Sequence, residues 1–158
     1  MDSRTNDQDG VENFGMSVAI YAQQMVVGSF NGDVFTYKLD QGTNTWKGNG
    51  RFSVPVDIYT SVSIYKDVLV VTFKDEKNNP DVCGIVYKLT TANNNQNSSN
   101  LIWTEIVRLT TKNDPMTSVD QHHYGVSVDE NMVFIGRWDE DDQAFGKVFV
   151  HDLTNYNN

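Results

Sequence analysis

The side chains that could do chemistry in this chain are carboxylates and imidazoles gathered in a few polar stretches. Asp139, Glu140, Asp141 and Asp142 form the densest cluster. Four acids on one loop supply oxygen donors, but calcium takes six to eight oxygens at about 2.4 Å from a loop shaped to deliver them. No glycine and no spaced ligand pattern accompanies these acids, so they read as a solvated acidic loop, and no cofactor is expected. His122 and His123 are adjacent, and neighbours on an extended segment point to opposite sides, which argues against a shared metal. His151 has no Cys or His partner nearby in the sequence. Cys83, the only cysteine, sits between Val82 and Gly84 and reads as a small buried residue rather than a reactive thiol. The serines fall in alternating strand patterns, with no G-x-S-x-G turn. No glycine-rich phosphate loop is present either. The residues carry no catalytic constellation, and the expectation is a protein that is not an enzyme.

The elements that hold these residues come from the composition and then from a repeat. At 158 residues, with 39% hydrophobic and 11% aromatic side chains, the chain has enough apolar material for one ordinary core, so residues 1–158 are read as a single repeat domain. A net charge of −9 repels phosphate backbones and anionic lipid, which excludes nucleic acid and membrane surfaces as expected partners. No apolar run approaches the roughly 20 residues of a membrane-spanning helix. The opening MDSRTNDQDGVEN is polar, with no apolar core, so it is not a signal peptide.

The repeat is FGMSVAIYAQQMVVGSF at 14–30, IYTSVSIYKDVLVVTF at 58–73 and YGVSVDENMVFIGRW at 124–138. A spacing of this order marks a repeat architecture. Each copy starts with a Ser-Val alternation, Val18 and Ile20 facing one way and Ser17 and Ala19 the other, with Val62 and Ile64 set against Ser61 and Ser63 in the second copy. A short polar break and a run apolar on both faces follow: Met25–Val27, Val68–Val71, Met132–Ile135. Aligning these runs on Gly28, Thr72 and Gly136 makes Val26, Val70 and Phe134 equivalent, and all three are expected to be buried, Phe134→Ala costing about 3–5 kcal/mol. A third strand ends Tyr37-Lys38-Leu39, Tyr87-Lys88-Leu89 and His151-Asp152-Leu153. A Trp-led fourth strand follows the first two copies, with Trp103, Glu105, Val107 and Leu109 on one face. Four strands per repeat predict an all-β fold, a partial β-propeller of about three antiparallel blades at 14–52, 58–109 and 124–153, the last lacking its outer strand.

Phe14-Gly15, Ser17–Ile20 and Met25–Gly28 resemble the FG-GAP repeat of integrin-type β-propellers, most of all its branch in microbial and protist surface proteins. WTEIVRLT at 103–110, YGVSV at 124–128 and GKVFV at 146–150 fit that branch. The resemblance implies a non-enzymatic binding or adhesion module at a cell surface or outside the cell, recognising protein or glycan. It does not bring the integrin calcium site with it. That loop carries Asp-x-Asp-x-Asp-Gly between the first two strands, where this chain has only Tyr21-Ala22-Gln23, Tyr65-Lys66-Asp67 and Asp129-Glu130-Asn131.

Function collects in long loops on a rigid scaffold. In such a blade the loop after strand two and the linker into the next blade emerge at one end, which makes Asp75, Asp81, His122, His123, Asp139, Asp141 and Asp142 the expected ligand face. An alternative is a structural subunit whose partner is another protein chain: further copies of itself, or the rest of a longer propeller. About three blades do not close a ring, and the last strand, with Val148, Phe149 and Val150, is then an assembly edge of unpaired backbone groups.

Overall fold

The computed structural model describes residues 14–54, 58–74, 82–91, 101–110, 123–138 and 146–156. They form an all-β structure of three antiparallel sheets. Sheet one contains β1 (Ser17–Tyr21), β2 (Gln24–Gly28), β3 (Asp33–Asp40) and β4 (Thr45–Ser53). Sheet two contains β5 (Ile58–Tyr65), β6 (Val68–Lys74), β7 (Val82–Thr91) and β8 (Leu101–Thr110). Sheet three has three strands, β9 (His123–Asp129), β10 (Met132–Trp138) and β11 (Lys147–Asp152), followed by a short 3-10 turn at Thr154–Tyr156. Each sheet runs up and down in chain order.

The internal repeat is a repeat of hydrogen bonding. Ser17 pairs with Gly28, Ser61 with Thr72 and Gly125 with Gly136, so the three first hairpins share one register. Their two-residue turns begin with Ala22, Lys66 and Glu130, at φ 51°, 54° and 48°. A non-glycine residue there costs about 1–2 kcal/mol, but left-handed turn residues match the twist of the strands they join. The second turn residue then anchors the third strand: the carbonyls of Gln23, Asp67 and Asn131 accept the N–H of Leu39, Leu89 and Leu153 at 2.9, 2.8 and 2.6 Å. A leucine close to the end of each third strand marks this closure.

The sheets stack face on face in chain order and do not close on themselves. Val26, Val34, Ala19 and Phe52 of sheet one pack against Val62, Ile64, Leu69, Val71, Phe73 and Ile85 of sheet two. The other face of sheet two, with Val68, Val70, Val86 and Leu109, packs against Val128, Val133, Ile135 and Leu153 of sheet three. Ser17 and Ser63 explain why one face of the first strand is small. The Ser17 Oγ accepts the N–H of Val62 in the next sheet at 3.0 Å, and the Ser63 Oγ accepts that of Val128 at 3.0 Å. Gly84 relieves crowding within sheet two, since a Cβ there would lie 3.2 Å from the Val71 carbonyl and 3.3 Å from Thr72 Cγ2 in the neighbouring strand.

The fourth strands differ from the expected single face. In β8 the register steps from Val86↔Val107 to Tyr87↔Glu105, leaving Ile106 as an extra residue, and in β4 it steps from Thr36↔Gly50 to Tyr37↔Gly48 past Asn49. A bulge of one residue reverses which side the following residues face. Trp103 therefore packs toward sheet one while Val107 and Leu109 pack toward sheet three, and Trp46 and Phe52 likewise part company.

Candidate functional site

Asp75, Asp81, His122, Asp139, Asp141 and Asp142 lie outside the described residues, as does the side chain of His123, which opens β9. Val148, Phe149 and Val150 are in β11, where Val150 pairs with Phe134 and Val148 with Gly136 of β10. Their side chains divide. Phe149 turns inward and packs on the core between sheets two and three. The strand that carries all three is the outer strand of sheet three, paired among the described residues with β10 on one side only. Val148 and Val150 project from the broad outer face of sheet three, 67% and 54% exposed. Their apolar surface lies on a sheet face beside that edge.

Phe134 stands on that same face and corrects an expectation. It is 40% exposed, whereas Val26 and Val70 at the equivalent positions are at 0%. The alignment is sound, as the shared register shows, but Val26 is covered by sheet two and Val70 by sheet three, while no described sheet follows Phe134.

Sheet one has the mirror situation on its outer side. Val18 and Ile20 are 54% and 58% exposed, although their equivalents Val62 and Ile64 are at 5% and 6%. Beside them Val27, Phe35 and Tyr37 form a small cluster with Met25 and Trp46. The Phe14 ring meets Phe35 edge to face, with centroids 5.1 Å apart. The Arg51 guanidinium lies 5.1 Å from the same Phe35 ring. Among the described residues the stack thus ends in two apolar sheet faces, exposed at Val18 and Ile20 beside the buried Val27, Phe35 and Tyr37 at one end and at Phe134, Val148 and Val150 at the other.

The polar groups near these faces are structural. The buried Asp33 carboxylate accepts from Arg51 Nη2 at 2.8 Å and from Ser53 Oγ at 2.5 Å, tying the start of β3 to the end of β4. Burial by itself would raise the Asp33 carboxyl, but the hydrogen bonds from Arg51 and Ser53 and the Arg51 charge hold it below the usual carboxylate range. Burial pushes the Cys83 thiol up to about 12, which keeps it protonated and unreactive. Burial also lowers His151, whose Nε2 finds no hydrogen-bond partner among the described residues. A shallow cleft lined by Tyr65, Lys66, Asp67, Lys88, Glu130 and Asn131 lies beside the tight turns of sheets two and three. No three His, Cys, Asp or Glu side chains among the described residues are placed to hold a metal. No described helix is long and apolar enough to cross a membrane.

The signal for these faces was present in the sequence as the Val18/Ile20 alternation and the Val148/Val150 pair. What the sequence left out was which copies of the pattern have a neighbour. In comparisons with known proteins, no family model matches the chain and no curated protein matches it.

Proposed function

We propose that this chain is a non-enzymatic protein-interaction module, a partial β-propeller of the FG-GAP kind, that works through the apolar faces at the two ends of its sheet stack. The observation that carries this reading is the contrast between equivalent positions. Val18, Ile20, Phe134 and Val150 are strongly exposed, while Val62, Ile64, Val70 and Val86 are buried at 6% or less. Exposed apolar surface of this kind, gathered on a flat face, is the usual mark of a protein contact. Charge supports a protein partner over a polyanion, since the net charge is −9. A cell-surface or extracellular location is part of this reading, supported by the resemblance of the repeat to surface-protein repeats.

The reading is tested by the native size of the protein in extracts of cells that produce it, followed with an antibody. The wild type runs well above the 17.9 kDa of the single chain. A double variant Ile20→Asp, Val150→Asp returns to the single-chain size. Elution of the wild type as a lone chain contradicts the reading.

A further inference from the structure

We infer that the partner of each open face is the opposite open face of a second copy, so that two chains stack head to tail and close one ring of six sheets. The inference rests on the interaction reading above and adds the identity of the partner. Each open face repeats a face that is already occupied inside the chain. Ser127, Phe134 and Val150 stand where Ser63, Val70 and Val86 receive sheet three. Val18 and Ile20 stand where Val62 and Ile64 receive sheet one. The face missing at each end is therefore of the type found at the other end. A contact between two such unlike faces is heterologous, and it closes when its rotation divides a full turn.

The backbone supplies a specific bond for this junction. At both internal junctions a first-strand serine accepts the N–H of the residue one place further along the next sheet's first strand: Ser17 from Val62, and Ser63 from Val128. Ser127 is the equivalent of Ser63, and Ile20 is the equivalent of Val128. Continued across the ends, the rule has the Ser127 Oγ of one copy accept the Ile20 N–H of the other. The outer face of sheet three also has room for a neighbour, because a Cβ on Gly125 would meet nothing within 4 Å and one on Gly136 only the Gly125 carbonyl at 4.0 Å. With the three described sheets per copy, two copies suit a ring, since radial stacks of this kind close with about 4–8 sheets.

The experiment is sedimentation velocity on the purified full chain between about 1 and 50 µM, with Ile20→Asp, Val150→Asp and Gly125→Arg, alone and mixed. The wild type sediments at twice the 17.9 kDa chain mass. Each variant alone is a monomer, its association weakened roughly 100-fold or more by a charge placed in an apolar junction. An equimolar mixture of Ile20→Asp and Val150→Asp recovers a dimer held by one intact junction. Gly125→Arg guards against misfolding in the other two variants, because its side chain enters open space in the single chain. A wild type that stays monomeric at 50 µM overturns the inference, and if the extract still shows a larger complex, the interaction reading stands with a different partner. A mass that grows without limit overturns the closed ring. Dimerisation of Ile20→Asp by itself, as a like-with-like contact through sheet three would give, overturns the head-to-tail arrangement.

Discussion

Sheet two and the two sheets that flank it are built from the same sequence pattern and meet different fates. Sheet two is covered on both faces, and Leu69, Val70, Val71, Ile85 and Val86 along its central strands are wholly buried. Sheets one and three carry the same apolar positions, but the outer face of sheet one buries only its central Val27, Phe35 and Tyr37 and leaves Val18 and Ile20 exposed, while sheet three leaves Phe134, Val148 and Val150 in the open. A repeat pattern therefore encodes the face a sheet offers to a neighbour, and burial follows only where a neighbour arrives. In a stack each unit rests only on the units beside it, so the terminal units carry the unfinished surfaces.

The largest effect that separates the regions is core truncation. Phe73→Ala, in the interior between sheets one and two, lowers unfolding stability by about 3–5 kcal/mol. Phe134→Ala, measured by denaturant unfolding at dilutions where the chain is monomeric, costs about 1 kcal/mol or less, because much of the ring is already in water. Equal costs for the two would mean that the outer face of sheet three is covered within the single chain.

A second contrast sets two glycines against each other. Gly84→Ala places a Cβ 3.2 Å from the Val71 carbonyl and 3.3 Å from Thr72 Cγ2, against a sheet that cannot retreat without disturbing its neighbour. We expect it to cost about 1–3 kcal/mol. Gly125→Ala meets nothing within 4 Å and leaves thermal stability unchanged or slightly raised. A neutral Gly84→Ala would show that β6 and β7 are less tightly packed at this position than the spacing implies.

The third contrast is in pH. His151 lies in sheet three with its pKa depressed by burial, so the folded state holds it neutral while the unfolded chain takes up a proton near its ordinary value of 6.5. Its contribution to stability is full above that value and is lost as pH falls from 6.5 toward the lower folded pKa. Asp33, with its folded pKa lowered, contributes above its ordinary value of 3.8 and loses that contribution as pH falls through the still lower folded value. The His151 window opens at 6.5 and the Asp33 window at 3.8. His151→Leu should flatten the melting-temperature slope as pH falls below 6.5, as circular-dichroism melts at fixed ionic strength would show. An unchanged slope in the upper window removes His151 from the account.

The smallest effect is chemical. Cys83 is buried in β7 with its thiol pushed up to about 12, so a thiol-reactive dye labels the native protein only as fast as sheet two opens. Rapid labelling without denaturant would place Cys83 at the surface.

The strands and their registers were legible because alternation and apolar runs repeat three times, and three leucines mark the ends of equivalent strands. Ser17 and Ser63 were legible only as small residues, since their role as acceptors for the next sheet depends on a neighbour far away in sequence. The single extra residues Asn49 and Ile106 left no trace in composition, and because a bulge reverses every later side chain, one fourth-strand face was assigned wrongly. Phe134 failed for a different reason. Its pattern is that of a core residue, and exposure came from the absence of a following sheet among the described residues, which no local pattern encodes.

The most direct test of the account is amide exchange at Ile20, followed residue by residue in NMR at two protein concentrations. Val62 and Val128, whose N–H groups are held by Ser17 and Ser63 inside the chain, should be protected at both. The Ile20 N–H should be protected in concentrated protein, where Ser127 of a second copy accepts it, and exchange freely on dilution. Fast exchange of Ile20 at every concentration, beside slow exchange of Val62 and Val128, would contradict it.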